Sequence, residues 1–526
     1  MDAILAEVKK INILNRTPVK SYQDAVSKLI KHGMTEEQIA TLVRAFAGAS
    51  DLDGVTALAD YEILHGLPYL DDVLRGQSEY DLTSEMVATL FQMADICLYN
   101  LEKVLANMTR DIDAENIGAA TVKMHWCVSF HDTLGDIARL MTVSAIHGEQ
   151  GNTISIEDSP AYQSYLKSRQ LLHTKLMTAI PETEENIAQE DLDVSRRFIF
   201  FSEFINCNYA TAWQQSMSHV RMPNKVRHEN ETGAEFYSRI TSVDRIKDAV
   251  YALDLSADTP FTQFRAYHQI SELCSRILNK WVCRGVELVM QQDGTDGLRR
   301  VLDLFRYCDS LFFIVQSTLK PIIRSLSPKS YSTIRAGVGI ISGAHSISLR
   351  KGLFTTVYPL LVRAYRLRMA DFDPAAAADD AFIEKRAAQI MADAQHWEEA
   401  KALEYLISFH HRIRGWRDDH MQLIKTQIGV SPEDEAPTAS VAGSKNAIQA
   451  AGNFRAYHNK GDPIRPIFKS GLGRDIPPAL PIYAQGGFDE YMSHLTARAV
   501  KTKMYVDLQN RVHNRVPGRN TAVAKS

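Results

Sequence analysis

Disulfide chemistry, export and membrane insertion all lack their usual marks in this chain of 526 residues. It has only six cysteines: Cys97, Cys127, Cys207, Cys274, Cys283 and Cys308. None forms a Cys-x-x-Cys pair and each sits in an apolar, helix-like segment, so reduced, buried thiols are expected. The opening MDAILAEVKKINILNRT has no long apolar stretch or small-residue cleavage site, and no secretory leader is expected. No apolar run approaches the roughly 20 residues that a membrane helix needs. Charge is balanced, with 59 Lys and Arg against 63 Asp and Glu and a net charge of −4. Without a basic excess, neither nucleic acid nor an anionic membrane is expected as the main partner. Period-two alternation bounded by hairpin turns is missing as well. A soluble cytoplasmic protein without sheets is the expectation.

What is present is ordinary globular composition, 45% apolar and 23% charged, spaced for helices. Met86, Leu90, Met93, Leu101 and Leu105 recur at mostly helical intervals within 85–110. The same spacing runs through 121–146, 160–180, 192–220, 260–291, 297–326 and 384–428. The fold class is therefore all-α. Four regions are expected: a helical region over 1–250, a core over 251–430, an irregular stretch over 431–487, and a helix with a basic tail over 488–526. Prolines and glycines in GDPIRPIFKSGLGRDIPPALPIYAQGGF exclude long helices from the third region. Asp371 to Asp380 reads as a short connector. A faint echo pairs Phe130-His131-Asp132 with Tyr267-His268-Gln269, which would suit a degenerate duplication within 1–250.

Three segments carry candidate chemistry. On a helix from about 400 to 428, Leu406, Phe409, Ile413 and Trp416 share one stripe, and His420 continues it. An imidazole on an apolar wall is either a hydrogen-bonded core residue or an axial ligand of the kind a haem face requires. His268 lies four residues after Phe264, on the same helix face. By itself this pair is a weak signal. In the third segment Tyr331 and Arg335 are four apart and precede a small, glycine-rich run holding Ser342 and Gly343. Glycines allow close backbone approach. An arginine there is either a surface charge or a clamp for a carboxylate.

Together these segments resemble the tryptophan 2,3-dioxygenase and indoleamine 2,3-dioxygenase superfamily of histidine-ligated haem enzymes. Phe264, His268, Gln269, Glu272 and Leu273 match its distal-helix pattern. Tyr331, Arg335, Ser342, Gly343 and Arg350 match its substrate-carboxylate segment. Trp416, Arg417, His420, Ile428 and Gly429 match its haem-ligand signature. The three occur in the family's order and cover roughly 255–430, about a third of the chain.

The resemblance implies a helical core binding haem b through His420, with Trp416 beside it and O2 as co-substrate. His268 would be the catalytic group on the opposite face, hydrogen-bonding a substrate N–H or O–H or the bound oxygen. Arg335 would hold the carboxylate of an aromatic amino acid or a related indole or phenol compound, with Phe264, Tyr331, Ser342 and Gly343 around the ring. Dioxygenation is the implied outcome. Hydroxylation on the same scaffold and a non-enzymatic scaffold or haem sensor are the alternatives. A homo-oligomer is compatible with the family. Two departures stand out: SPEDEAPTASVAGS occupies the place of the family's Gly-Thr-rich closing loop, and Ala344 and His345 follow Ser342-Gly343. Contacts made by that loop do not carry over.

Overall fold

Helical spacing becomes helix almost everywhere in the computed structural model, which describes residues 82–114, 116–144, 152–179, 213–251, 261–290, 295–319 and 358–428, with isolated positions 70, 73, 201, 322 and 349. The elements in chain order are α1 (Leu82–Asp113), α2 (Ile117–Ser144), β1 (Thr153–Ile154), α3 (Pro160–Ala179), β2 (Val220–Arg221), α4 (Gly233–Thr241) and α5 (Val243–Tyr251). They continue with α6 (Phe261–Met290), α7 (Thr295–Ser317), α8 (Tyr358–Met369), α9 (Pro374–Ala378), α10 (Asp380–Ala392) and α11 (Trp397–Ile428). The all-α expectation holds. Among the described residues the one sheet is a two-residue antiparallel pairing of β1 with β2, Thr153 opposite Arg221 and Ile154 opposite Val220. No helix among the described residues is long and apolar enough to cross a membrane.

Two helices organise the packing. Helix α1 is buried on every side from Ser84 to Leu101, as expected when a helix is covered all round by others. Helices α2, α3, α5 and α6 pack around it. Helix α7 forms the second centre, lying between α6 and α11. The two centres join where α6 meets α1 and α2 meets α7. There the Phe130 and Tyr267 rings stack, 5.4 Å apart and 17° from parallel, so the two echoing segments touch.

Several boundaries differ from the sequence expectations, for local reasons. The span 384–428 is two helices, because Asp393 accepts a hydrogen bond from the Gln395 N–H (2.9 Å) and starts a separate 3₁₀ turn, Ala394–His396. The connector from Asp371 holds its own short helix, α9, capped by Asp373 on the Ala375 N–H. Aspartate side chains that mimic a backbone turn are strong helix starters, and the apolar spacing does not register them. Of the expected helix over 192–220, only Phe201 and the end from Trp213 fall within the described residues; four helical residues there lead into β2. The stretches 431–487 and 488–526 lie outside the described residues.

Candidate functional site

His268 is presented by α6, whose rotation is set by its neighbouring face. Arg265 donates to the Val250 and Ala249 carbonyls (3.2 and 2.7 Å), and Gln269 donates to the Ala249 carbonyl (2.7 Å). These carbonyls belong to the last turn of α5, where helix C=O groups have no partner within the helix. Arg265 and Gln269 therefore cap α5, and Phe264 and His268 point elsewhere. Further along, buried Glu85 of α1 accepts from Lys280 Nζ (3.0 Å) and Trp281 Nε1 (2.8 Å), pinning α6 to the first centre.

His420 is presented by α11, which is held against α7. Asp309 of α7 accepts from Ser408 Oγ (3.0 Å) and Arg412 Nε (2.6 Å). Phe312 meets Phe409 edge to face at 5.5 Å. One turn before His420 the helices close tightly: a Cβ on Gly415 would lie 2.8 Å from Gln316 Nε2. That same amide nitrogen reaches Asp419 Oδ2 at 3.4 Å. Glycine is what admits the Gln316 side chain here. Leu406, Phe409, Ile413 and Trp416 are all buried, as their shared stripe requires.

The two histidines have matching surroundings. The Phe264 ring lies 4.1 Å from the His268 ring, and the Trp416 ring is stacked on His420 at 5.0 Å and 8°. Both imidazoles are half-buried. Protein packed around them pushes the pKa of each down to about 4, because the charged form loses solvation. His420 is lowered further by the charge that His268 would carry. Helices α6 and α11 both pack on α7 and make little contact with each other. The structure therefore sets Phe264 beside His268 and Trp416 beside His420, on two helices that share α7 as a neighbour. The remaining expected residues, Tyr331, Arg335, Ser342 and Gly343, lie outside the described residues.

The tautomer of His268 follows from its partner. Its Nδ1 lies 2.7 Å from the Phe264 carbonyl, which can only accept. The ring is neutral well above pH 4, so Nδ1 carries the proton and Nε2 carries a lone pair. Among the described residues no hydrogen bond engages the ring nitrogens of His420, whose close side-chain partner there is Trp416.

Other buried histidines are committed to the core. His131 accepts from Trp213 Nε1 at its Nδ1 (3.4 Å), which leaves Nε2 to donate to the Tyr165 hydroxyl (3.2 Å). His410 bonds Tyr358 through Nδ1 (2.8 Å). Spacing alone did not reveal two further polar centres, the Glu85–Lys280–Trp281 cluster and Asp95 with Ser159 and Tyr237. Each joins residues far apart in the chain. Cys97, Cys127, Cys274 and Cys308 are buried and unpaired, and burial raises each thiol above its usual range. That makes them poor nucleophiles. No three His, Cys, Asp or Glu side chains are gathered as for a bare metal ion among the described residues. No family model matches the chain, and no curated protein or solved structure shows significant similarity to it.

Proposed function

We propose that the protein is a haem-dependent oxygenase acting on a carboxylate-bearing aromatic compound. The observation that carries this reading is the pair of neutral imidazoles on α6 and α11, each set against an aromatic ring and coupled electrostatically although their helices barely meet. The donor chemistry fits haem. A neutral imidazole is the usual protein ligand, the porphyrin brings its own four nitrogens, and aromatic and apolar side chains suit its faces. His420 would hold the iron, with Trp416 fixing the plane of its ring. When bound, haem would supply O2 binding and activation.

The chain's own contribution is orientation. With its lone pair at Nε2, His268 accepts a hydrogen bond from a substrate N–H or O–H instead of donating one. Its depressed pKa makes it a weak base, so it aligns the donor while staying uncharged. Phe264, beside it, would form one wall for the aromatic ring. Arg335 would grip the carboxylate with its two-pronged guanidinium, near Tyr331, Ser342 and Gly343. A reducing compartment such as the cytoplasm would suit the buried thiols.

The test is reconstitution of the purified protein with haemin, followed by His420→Ala. The unaltered protein should take up one haem with a Soret band, and the variant should lose it while its far-ultraviolet circular dichroism stays the same. Failure of the unaltered protein to take up haem sinks the reading. Turnover under labelled dioxygen then separates insertion of two oxygen atoms from hydroxylation.

A further inference from the structure

We propose that Asp95, Ser159 and Tyr237 form a pH-sensitive latch: a protonated Asp95 carboxyl keeps α4 and the β1–β2 pair closed on α1, and its ionisation lets them open as a unit. This device is independent of the haem reading above.

The latch is made at one atom. Asp95 is fully buried within α1, and its Oδ1 accepts from Ser159 Oγ (2.6 Å) and from the Tyr237 hydroxyl of α4 (2.9 Å). Ser159 in turn starts α3, where its Oγ accepts from the N–H groups of Ala161 (3.1 Å) and Tyr162 (3.3 Å). One carboxyl oxygen thus ties α1 to both α3 and α4. Two neutral hydroxyl donors do not repay the solvation that a carboxylate loses on burial, so the closed form favours the neutral acid and titrates at about 7. Once open to water, the group titrates near its ordinary value of about 3.9. Closure is therefore strongest below about pH 4 and weakens as pH rises to 7, by about ten-fold in the opening equilibrium for each pH unit between. The surrounding groups do not cancel this. Along α1, Cys97 and Tyr99 are pushed up by a charge on Asp95, and the α5 carboxylates Asp244 and Asp248 bear on Tyr99. On the α6 and α2 sides, Tyr267 feels Cys97 and Asp132. In the unit that opens, His219, Arg221, Arg227, His228 and Arg239 are exposed.

The part that opens is small and tied within itself. Beyond the β1–β2 pairing, the Ile156 N–H donates to the Met217 carbonyl (3.0 Å) and the Met222 N–H to the Asn152 carbonyl (2.7 Å). Helix α4 rests on β1 and on the 3₁₀ turn Ile156–Asp158. Its start is closed on itself, with Glu235 accepting from the Thr232 N–H (2.7 Å) and Thr232 Oγ1 accepting from the Glu235 N–H (3.2 Å). Against α1 the unit sets Tyr237, whose ring meets Phe91 edge to face at 5.5 Å and whose hydroxyl reaches Asp95. The strands have two residues each and α4 has nine, against 32 for α1. Short elements joined to a long core helix are the ones that open first in a native protein.

The experiment is hydrogen–deuterium exchange of the full chain, read by mass spectrometry from pH 5 to 9 and corrected for the intrinsic pH dependence of amide exchange. Amides of α4 and the strand pair should exchange roughly fifty-fold faster at pH 7 than at pH 5 and level off above about pH 8. Those of α7 and α11 should keep their protection. Asp95→Asn, which cannot ionise, should give a flat profile over the same α4 and strand amides. Tyr237→Phe removes one donor to the carboxylate and should move the levelling-off to higher pH. A flat profile for the unaltered protein overturns the latch. A rise shared equally by α7 and α11 also overturns it, since Asp95 would then govern the whole fold and not this unit. A rise that persists in Asp95→Asn assigns the titration to another group and overturns it too. If Asp95→Asn does not fold, Tyr237→Phe decides, and an unshifted profile in that variant overturns the latch.

Discussion

Asp95 is fully buried in α1 and its Oδ1 accepts from Ser159 Oγ (2.6 Å) and the Tyr237 hydroxyl (2.9 Å). Its Oδ2 meets no hydrogen-bond partner among the described residues. Burial outweighs these two hydrogen bonds and pushes the carboxyl up to about 7. In the unfolded chain it would titrate near the ordinary value of about 3.9. The folded state therefore binds the proton more tightly. Its stabilising contribution is complete below about pH 4 and is lost as pH rises through 7. That difference amounts to roughly 4 kcal/mol over the whole window, at about 1.4 kcal/mol per pH unit where the two states differ most. Asp95→Asn has no such titration. Its amide can still accept from Ser159 and Tyr237, at a pH-independent cost of about 1–3 kcal/mol for the unpaired N–H groups. Urea unfolding of both proteins from pH 5 to 8 should show the unaltered protein losing about 2–3 kcal/mol relative to the variant. A difference that stays constant, or runs the other way, would mean that the carboxylate is ionised and compensated at neutral pH, and the reasoning from burial would be wrong.

Two other outcomes are expected. Gly285 lies where α6 meets α7 and α8, and a Cβ there would stand 2.9 Å from Leu304 Cδ2 and 3.4 Å from Phe305 Cε1. Gly285→Val should cost about 1–3 kcal/mol by overpacking, whereas Gly285→Ala should be near neutral, since its helix propensity gains about 1 kcal/mol; thermal denaturation of the pair checks this, and equal stability for all three proteins would contradict the packing. Arg335→Lys keeps the charge and loses the planar fork, so the affinity of the haem-loaded protein for L-tryptophan should fall at least about ten-fold. Tryptamine, lacking the carboxylate, should bind both proteins equally, and Soret titrations that show both ligands weakened alike would remove Arg335 as a carboxylate clamp.

The fold class was legible because helical periodicity is a local property: Met86 to Leu105, the stripe from Leu406 to Trp416, and the Phe264–His268 spacing each lie within a few turns of one helix. Local capping chemistry at Asp373, Asp379 and Asp393 was also written in the chain, but it divided segments that apolar spacing alone had joined. Ring pairs four residues apart, Phe264 with His268 and Trp416 with His420, were likewise determined by sequence, since a helix places i and i+4 on one face. Only the tertiary structure decided that the helices carrying these two pairs both pack on α7. It also decided that Arg265 and Gln269 cap α5 and that His131 is held in the core by Trp213 and Tyr165. Contacts between residues tens to more than a hundred positions apart depend on how whole helices are rotated and stacked, and that rotation is set by sparse polar clamps such as Glu85 with Lys280 and Trp281 and Asp309 with Ser408 and Arg412. No spacing rule within a single helix encodes such partners.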